Sequence, residues 1–329
     1  MSAEKSHPAH LEPSELGTKE YWDEYYRNDL ENGARSEDDE EEEDGDGSDS
    51  DDGDEQPPDP VELESWFDDV GAPAKTLAFL TSSTFPLSPN YTGSLVDQDS
   101  RDGDGSSVRD APSVLDLGTG NGSALFALRL HGHYAGRMVG VDYSSQSVEL
   151  ARKLRAQYAS TTRTTSPSDM ADLDFHVFDI IHDSAPTQPW WPARDAGFDL
   201  VLDKGTFDAI SLSSATVSDP DPDPNAAQRR ICELYPSRVL DLVRPGGYLL
   251  VTSCNWTEAE VVAWFTGSSS GGRAGNADST AADTESGERA VFEVYDTIKY
   301  PVFEFGGQKG QGVASVCFQK RQKTKTDQR

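Results

Sequence analysis

Short apolar runs alternate with longer amphipathic segments through the middle of the chain. Apolar and β-branched residues predict five strands, at 114–117, 138–142, 175–178, 198–203 and 248–252. Apolar residues at helical spacing predict helices between these strands, at 124–128, 147–158 and 226–243. This alternation predicts an α/β fold, a mostly parallel sheet with helices on both faces.

The last part of the chain has a different pattern. Two β-rich runs, at 291–300 and 314–319, have no helix between them and are expected to pair as antiparallel strands. Ahead of them, Thr257 and Glu260 stand at the spacing of a helix capping box, and Trp256 is placed to staple the helix start. We therefore expect one domain with loop insertions rather than two domains.

Polar segments of low complexity separate these elements. The segment 36–60 contains 15 acidic residues and no Lys or Arg, so it carries −15 of the net charge of −31. It is expected to be disordered. Gly-, Ser-, Asp- and Pro-rich loops are expected at 92–112, 159–171, 216–226 and 266–290, with a polar tail at 321–329. The span 61–320 is expected to hold the folded domain, preceded by an N-terminal segment, 1–35.

Composition excludes several classes of protein. No apolar run approaches the ~20 residues that cross a bilayer, and the first residues lack the apolar core of a secretory signal. Cys232, Cys254 and Cys317 are too widely spaced for a CxxC metal site or a disulfide framework, so no metal is expected. Acidic chains bind nucleic acid poorly, because phosphate binding needs Lys and Arg to release counterions. We expect a monomer in the cytoplasm, without nucleic-acid or membrane partners.

A glycine-rich turn follows the first predicted strand, with Asp116 ahead of Gly118, Gly120 and Gly122. Ligands of open parallel sheets bind beyond the carboxyl ends of the strands. A dinucleotide motif would need a third glycine at position 123 or 125, which hold serine and leucine. No Gly-Lys-Ser/Thr follows, which excludes a Walker phosphate loop. An ordinary tight turn remains the alternative to a ligand site.

An acid followed by G-x-G-x-G suits S-adenosylmethionine, which carries a positive ammonium and sulfonium but no phosphate. Asp116 is expected to attract this cation. Asp142 ends the second strand and is expected to accept both ribose hydroxyls, and Asp179, after the third strand, the adenine amino group. A helix cap or a solvated strand end is the alternative for either acid alone. The neighbouring residues complete the predicted cofactor-binding set: Gly118, Thr119, Gly120, Gly122, Tyr143 and Ile180.

Four motifs carry a resemblance to a known family: VLDLGTGNG (114–122), GVDYS (140–144), LDKGTFDAIS (202–211) and TSCNWT (252–257). They resemble the seven-stranded class I S-adenosylmethionine-dependent methyltransferases. More narrowly, they are similar to the elongation factor methyltransferase 4 type, protein-lysine N-methyltransferases that modify translation elongation factor 1-alpha. The resemblance implies a sheet of order 3-2-1-4-5-7-6 with strand seven antiparallel, a protein substrate, and residence in the cytoplasm and nucleus.

Lysine methylation requires a neutral amine, although a lysine of pKa ~10.4 is protonated at pH 7. Asp203 is expected to hold the amine through its carboxylate, with Thr206 assisting; contact with the cofactor ammonium or with the turn backbone is the alternative for Asp203. Asn255 and Trp256 follow the fifth strand and are expected to face the same crevice. Trp256 is expected to line a lysine channel, unless it is only the helix staple.

Aromatic residues in two N-terminal segments, with Trp22 and Trp66 as the predicted cofactor contacts, are expected to cover the cofactor or merely the sheet. An acidic enzyme would also be steered towards a basic partner, which the resemblance implies. Two other functions stay open: methylation of a different protein or a small molecule, and a non-catalytic binding module on this scaffold.

Overall fold

The computed structural model describes residues 7–32, 57–93, 111–160, 170–192, 196–217, 229–267, 289–305 and 308–323. Its strands are β1 (Val114–Leu117), β2 (Met138–Asp142), β3 (Leu173–Val177), β4 (Phe198–Lys204), β5 (Val243–Ser253), β6 (Arg289–Ile298), β7 (Val302–Phe305), β8 (Gln308–Gln311) and β9 (Ala314–Lys323). Its α-helices are α1 (Lys19–Asn32), α2 (Ala72–Leu80), α3 (Ser123–Leu130), α4 (Ser145–Ser160), α5 (Thr206–Ser211), α6 (Tyr235–Leu242) and α7 (Glu258–Gly267).

Seven strands form one mixed sheet in the order β3-β2-β1-β4-β5-β9-β6. If only the seven strands of this sheet are numbered along the chain, without β7 and β8, the order is 3-2-1-4-5-7-6, as expected from the sequence. β1 with β4, β4 with β5, and β2 with β3 are parallel pairs, whereas β9 is antiparallel to both β5 and β6. The predicted fold class is therefore confirmed.

The first of two compact units comprises Met1–Thr18, Ser113–Gly118 and Phe178–Arg329. It contains β1, β4, β5, β6 and β9, and α7 packs against β6 and β9. Its core is aromatic: the rings of Phe207, Tyr235, Trp264, Phe265 and Phe318 are all buried. Burial of large apolar side chains of this kind is the main stabilising contribution to such a unit.

The second unit comprises Lys19–Pro112 and Thr119–Val177. Helix α4 packs against β2, β3 and α1, and its apolar face is buried. Phe126 lies between Tyr158 and Phe175, with ring centroids 4.8 and 5.6 Å away. Phe175 also restricts position 122, the third glycine of the glycine-rich turn, to glycine. A Cβ at Gly122 would lie 2.8 Å from the Phe175 ring.

The predicted helix at 226–243 is wrong in extent. The structure has a short 3-10 helix, Ile231–Glu233, and then a separate α6 that begins at Tyr235. Pro236 lies in the first turn of α6, where its missing N–H has no helical partner to lose. Proline in that position favours a new helix start over a continuous helix from residue 226.

The antiparallel pair and the capping box predicted near the C-terminus are confirmed, although β9 extends to Lys323, into the predicted polar tail. β6 and β9 form the expected antiparallel pair. The capping box is present: the Thr257 N–H donates to Glu260 Oε2 at 2.9 Å, and the Glu260 N–H donates to Thr257 Oγ1 at 3.3 Å. The pattern of apolar residues did not predict the β7–β8 hairpin, which lies between these two strands in the chain.

Most of each predicted disordered segment lies outside the described residues. This applies to 36–60 and to the loops at 92–112, 159–171, 216–226 and 266–290, of which only the ends are described. Among the helices of the described residues, none combines the length and apolar character that a bilayer-spanning segment requires.

Candidate functional site

In the first unit, Thr206 contacts the start of the glycine-rich turn. Asp116 is buried on β1, and Gly118 has a positive φ of 62°. The hydroxyl of Thr206 donates to the Leu117 carbonyl at 2.6 Å, and a Cβ at Gly118 would collide with that hydroxyl. Glycine is therefore required at 118 for a close approach of Thr206, which fixes the end of β1.

In the second unit, Asp142 organises the next part of the turn. Its Oδ2 accepts the Gly120 N–H at 3.1 Å and lies 2.8 Å from the Ser147 hydroxyl, and its Oδ1 accepts the Ser144 N–H at 2.9 Å. Burial raises the pKa of Asp142, and these hydrogen bonds lower it in part. A carboxylate offers about four acceptor positions, so one remains for a ligand rather than the two expected for a pair of ribose hydroxyls.

The aromatic side chains of the second unit form a cluster beside Gly120, here called the aromatic lid, made of Tyr21, Trp22, Tyr25, Tyr26, Trp66 and Phe67. Tyr26 is buried, and a Cβ at Gly120 would lie 2.6 Å from its hydroxyl oxygen. Trp22 lies 6.2 Å from Tyr26 and 5.3 Å from Trp66, measured between ring centroids. The two predicted tryptophans therefore contact each other, at the glycine turn.

Asp203 is bound within the protein rather than presented to a substrate. Its Oδ1 accepts the N–H groups of Thr206 and Phe207 at 2.9 and 3.2 Å, and its Oδ2 accepts the Tyr235 hydroxyl at 2.7 Å. Burial raises the pKa of this carboxyl to about 7. The expected contact with the substrate amine is replaced by the alternative, a contact with the turn backbone, because the side chain is fully buried.

A further buried carboxylate, Asp208, was not identified from the sequence. It accepts the hydroxyl of Ser253 and the Cys254 N–H, the latter at 2.9 Å, and burial raises its pKa. The Ser253 hydroxyl in turn accepts the Asn255 N–H at 3.2 Å. Asp208 thus fixes the segment that carries Asn255, whose side chain is partly exposed. Its place in the DKGTFDAIS motif was the available signal.

Trp256 belongs to the core of the first unit. It is buried, its ring is stacked 6.1 Å from Phe207, and it meets Trp264 edge-on at 5.6 Å. Its indole N–H donates to the Ser211 hydroxyl at 3.3 Å. The expected position in the wall of a lysine channel is therefore wrong for this arrangement, since packing occupies the ring.

The two residues predicted after β3 have local roles. Asp179 Oδ1 accepts the N–H groups of Ile181 and His182, at 2.8 and 3.2 Å, and its Oδ2 lies 2.8 Å from the His182 ring. Ile180 is buried. Asp179 therefore caps its own turn, which is close to the helix cap considered as the alternative for this acid. Adenine binding by Asp179 stays a prediction. Tyr143, next to Asp142, lies under the ammonium of Lys19, 5.7 Å from the ring centroid.

One group of possible metal ligands occurs among the described residues, although the sequence predicted no metal site. Its members are His7, His10 and Glu233, whose ligand atoms lie within 4.8 Å of one another. Glu233 also accepts the Arg230 N–H at 2.9 Å and lies 3.6 Å from the Arg229 guanidinium. The Arg229 guanidinium already supplies positive charge to this carboxylate, and Arg230 adds a backbone N–H, which makes the group part of a hydrogen-bonded ion-pair network.

A family model described as a methyltransferase domain matches residues 109–307. Protein-lysine N-methyltransferase EFM4 of Saccharomyces cerevisiae is 30% identical over 95% of this chain and 98% of its own length. This chain belongs to the EFM4-type methyltransferases. Protein-lysine N-methyltransferase efm4 of Schizosaccharomyces pombe is also 30% identical, over 94% and 95%. EEF1A lysine methyltransferase 2 of mouse is 31% identical over 64% of each chain.

S-adenosylmethionine is the cofactor of this methyltransferase, and the residues present fit it. Asp116 on β1 and Asp142 at the end of β2 are both buried acidic residues, whereas a pyrophosphate would need positive charge. Asp142 retains an acceptor position for a hydroxyl. The glycine turn presents backbone without side chains of its own.

Proposed function

We propose that this methyltransferase methylates a lysine of a protein, and that the protein is translation elongation factor 1-alpha. The observation that carries the proposal is the similarity to yeast EFM4 along almost the full length of both chains. Three further relatives, from mouse, zebrafish and human, are named as EEF1A lysine methyltransferases. The motif at the end of β4 also differs from the Asn-Pro-Pro-Tyr of glutamine methyltransferases, since it is Asp203-Lys204-Gly205-Thr206.

The cofactor, when bound, supplies an activated methyl group on a positively charged sulfur. The glycine turn and its flanking residues are proposed to bind it: Trp22, Trp66, Asp116, Gly118, Thr119, Gly120, Gly122, Asp142, Tyr143 and Ile180. The carboxylates of Asp116 and Asp142 favour its positive charge. The aromatic lid excludes water, which strengthens the electrostatic interactions inside.

The protein contributes to methyl transfer mainly by positioning the amine and by providing oxygen acceptors for its N–H groups. Because both oxygens of Asp203 bind the β4–α5 turn and Tyr235, Asp203 is proposed as a positioning residue for that turn. Asn255 follows β5 and is partly exposed, and its side-chain oxygen, which lies 3.7 Å from the Cys254 thiol, is proposed as the amine acceptor. Thr206 acts by holding the end of β1 in place.

The charge of the chain supports a basic protein partner. With a net charge of −31, association with a basic surface is accelerated at low ionic strength and slowed by salt. The acidic segment 36–60 carries about half of that charge. We also propose that the enzyme acts as a monomer in the cytoplasm and nucleus, without nucleic-acid or membrane partners.

A labelling experiment separates this function from the other two. The full chain is incubated with tritiated S-adenosylmethionine and a lysate of cells that lack the enzyme, and labelled residues are mapped by mass spectrometry. Label on a lysine of elongation factor 1-alpha supports the proposal. Label on another protein or on small metabolites contradicts the substrate, and cofactor binding without any label would indicate a binding module.

A further inference from the structure

Helix α1 presents one face to the end of β2 and the glycine turn. Lys19, Asp23 and Tyr26 are spaced at i, i+4 and i+7, which places them on the same side of the helix. The Lys19 ammonium lies over the ring of Tyr143, and the Tyr26 hydroxyl abuts Gly120. Asp23, between these two contacts along the helix, belongs to the same face.

Asp23 belongs to the face of α1 that meets the end of β2, and Asp142 is the last residue of that strand. The pKa of Asp142 is raised by burial first, and the negative charge of Asp23 raises it further. Two neighbouring carboxylates that are both ionised repel each other. Such a pair is stabilised by hydrogen-bond donors placed between or beside them.

The two oxygens of Asp23 have different surroundings. Oδ2 is paired with the Lys19 ammonium at 2.6 Å on the helix surface. Oδ1 is buried and has no hydrogen-bond partner among the described residues. A buried carboxylate oxygen without a donor is unfavourable, because it has lost water and gained nothing in exchange. Asp142 likewise retains one acceptor position after accepting hydrogen bonds from Gly120, Ser144 and Ser147.

We propose that Asp23 and Asp142 together bind the ribose of the cofactor, each accepting one of its two hydroxyls. The inference rests on the cofactor and function proposed above. A vicinal diol is a neutral ligand with two adjacent O–H donors, which matches two neighbouring carboxylates with one acceptor position each. Because Asp23 is on α1, the same contact attaches the helix that carries four of the six aromatic-lid residues to the bound cofactor.

Calorimetry with S-adenosylhomocysteine tests the contact without turnover. Hydrogen bonds to charged groups are worth roughly 10- to 100-fold in affinity, so Asp23→Ala is expected to weaken binding by that factor. Glu24→Gln is the matched control, since Glu24 is the exposed next residue of α1 and its loss removes the same charge. Glu24→Gln is expected to stay within about twofold of the wild type.

A cycle with the 2′-deoxy and 3′-deoxy analogues of S-adenosylhomocysteine identifies the partner of Asp23. One analogue is expected to bind the wild type more weakly than S-adenosylhomocysteine does. The same analogue and S-adenosylhomocysteine are expected to bind Asp23→Ala equally, because the carboxylate and the missing hydroxyl form the same contact. Fully additive losses with both analogues, or Asp23→Ala binding as tightly as Glu24→Gln, would overturn the inference. If the folded wild-type chain did not bind S-adenosylhomocysteine at all, the proposed function itself would fail.

Discussion

The Tyr235 hydroxyl donates a hydrogen bond to Asp203 Oδ2 over 2.7 Å, and both side chains are fully buried. Asp203 is on β4 and Tyr235 begins α6, so the bond joins the end of a central strand to a helix 32 residues later in the chain. The other carboxylate oxygen accepts two N–H groups at the start of α5. This pair determines the position of the DKGTFD turn.

Tyr235→Phe is expected to destabilise the protein by about 1–3 kcal/mol at pH 8 and by less at pH 5. The reason is that Asp203, with its pKa raised by burial to about 7, is ionised only at the higher pH and then needs this donor most. Urea unfolding at both values measures the loss. Tyr300→Phe is the control, because Tyr300 faces the neutral hydroxyl of Ser315 at 2.8 Å. Equal losses at pH 5 and pH 8 for Tyr235→Phe would contradict the account.

Asp203→Asn tests the direction of the pKa shift. Because the folded pKa of about 7 is above the unfolded value of about 3.9, the stability that Asp203 contributes is complete below pH 4. It is lost as the pH rises through 7. Asparagine does not ionise, so the variant should gain stability relative to wild type between pH 4 and 8, on the order of a few kcal/mol. If the stability difference between Asp203→Asn and the wild type did not change with pH, the pKa of Asp203 in the folded protein would not be raised.

Gly120→Ala is expected to destabilise the protein and weaken cofactor binding. The positive φ of 58° costs an alanine about 1 kcal/mol, and the new Cβ would lie 2.6 Å from the Tyr26 hydroxyl. Gly246→Ala is the control: Gly246 has φ 79° with no atom within 4 Å, so it should show the backbone cost alone. Combining Gly120→Ala with Tyr26→Phe should recover part of the loss in thermal unfolding. No recovery would mean that the hydroxyl is not the obstacle.

Trp256→Phe distinguishes a core residue from a channel wall. The account expects a loss of about 1–3 kcal/mol in the free energy of unfolding, because the indole packs on Phe207 and Trp264. The KM for the protein substrate should stay unchanged. A raised KM for the protein substrate with an unaltered free energy of unfolding would instead indicate that Trp256 lines the substrate channel.

The strands of the sheet could be predicted because their patterns are local. β1 and β2 are continuous apolar runs that end in an acid or a glycine, and both have the expected bounds. The helix starts depend on single residues: Thr257 signalled α7 through its capping box, whereas Pro236 was overlooked and α6 was expected to begin too early.

The site could be predicted only in part, because a carboxylate at a strand end can face a ligand or its own backbone. Asp142 and Asp203 look equivalent in sequence, and both prove to bind turn backbone. What separates them is the partner of Asp203, Tyr235, which is distant in the chain and whose hydroxyl has no sequence signal. Trp256 illustrates the same difficulty, since a staple and a channel wall require the same residue type.

The most direct test uses the purified chain, S-adenosylmethionine and purified elongation factor 1-alpha, followed by tandem mass spectrometry of its peptides. The account predicts a mass gain in steps of one methyl group on a lysine side chain, absent with Asp116→Ala. Elongation factor 1-alpha that gains no methyl group on any lysine, beside an enzyme that binds the cofactor, would contradict it.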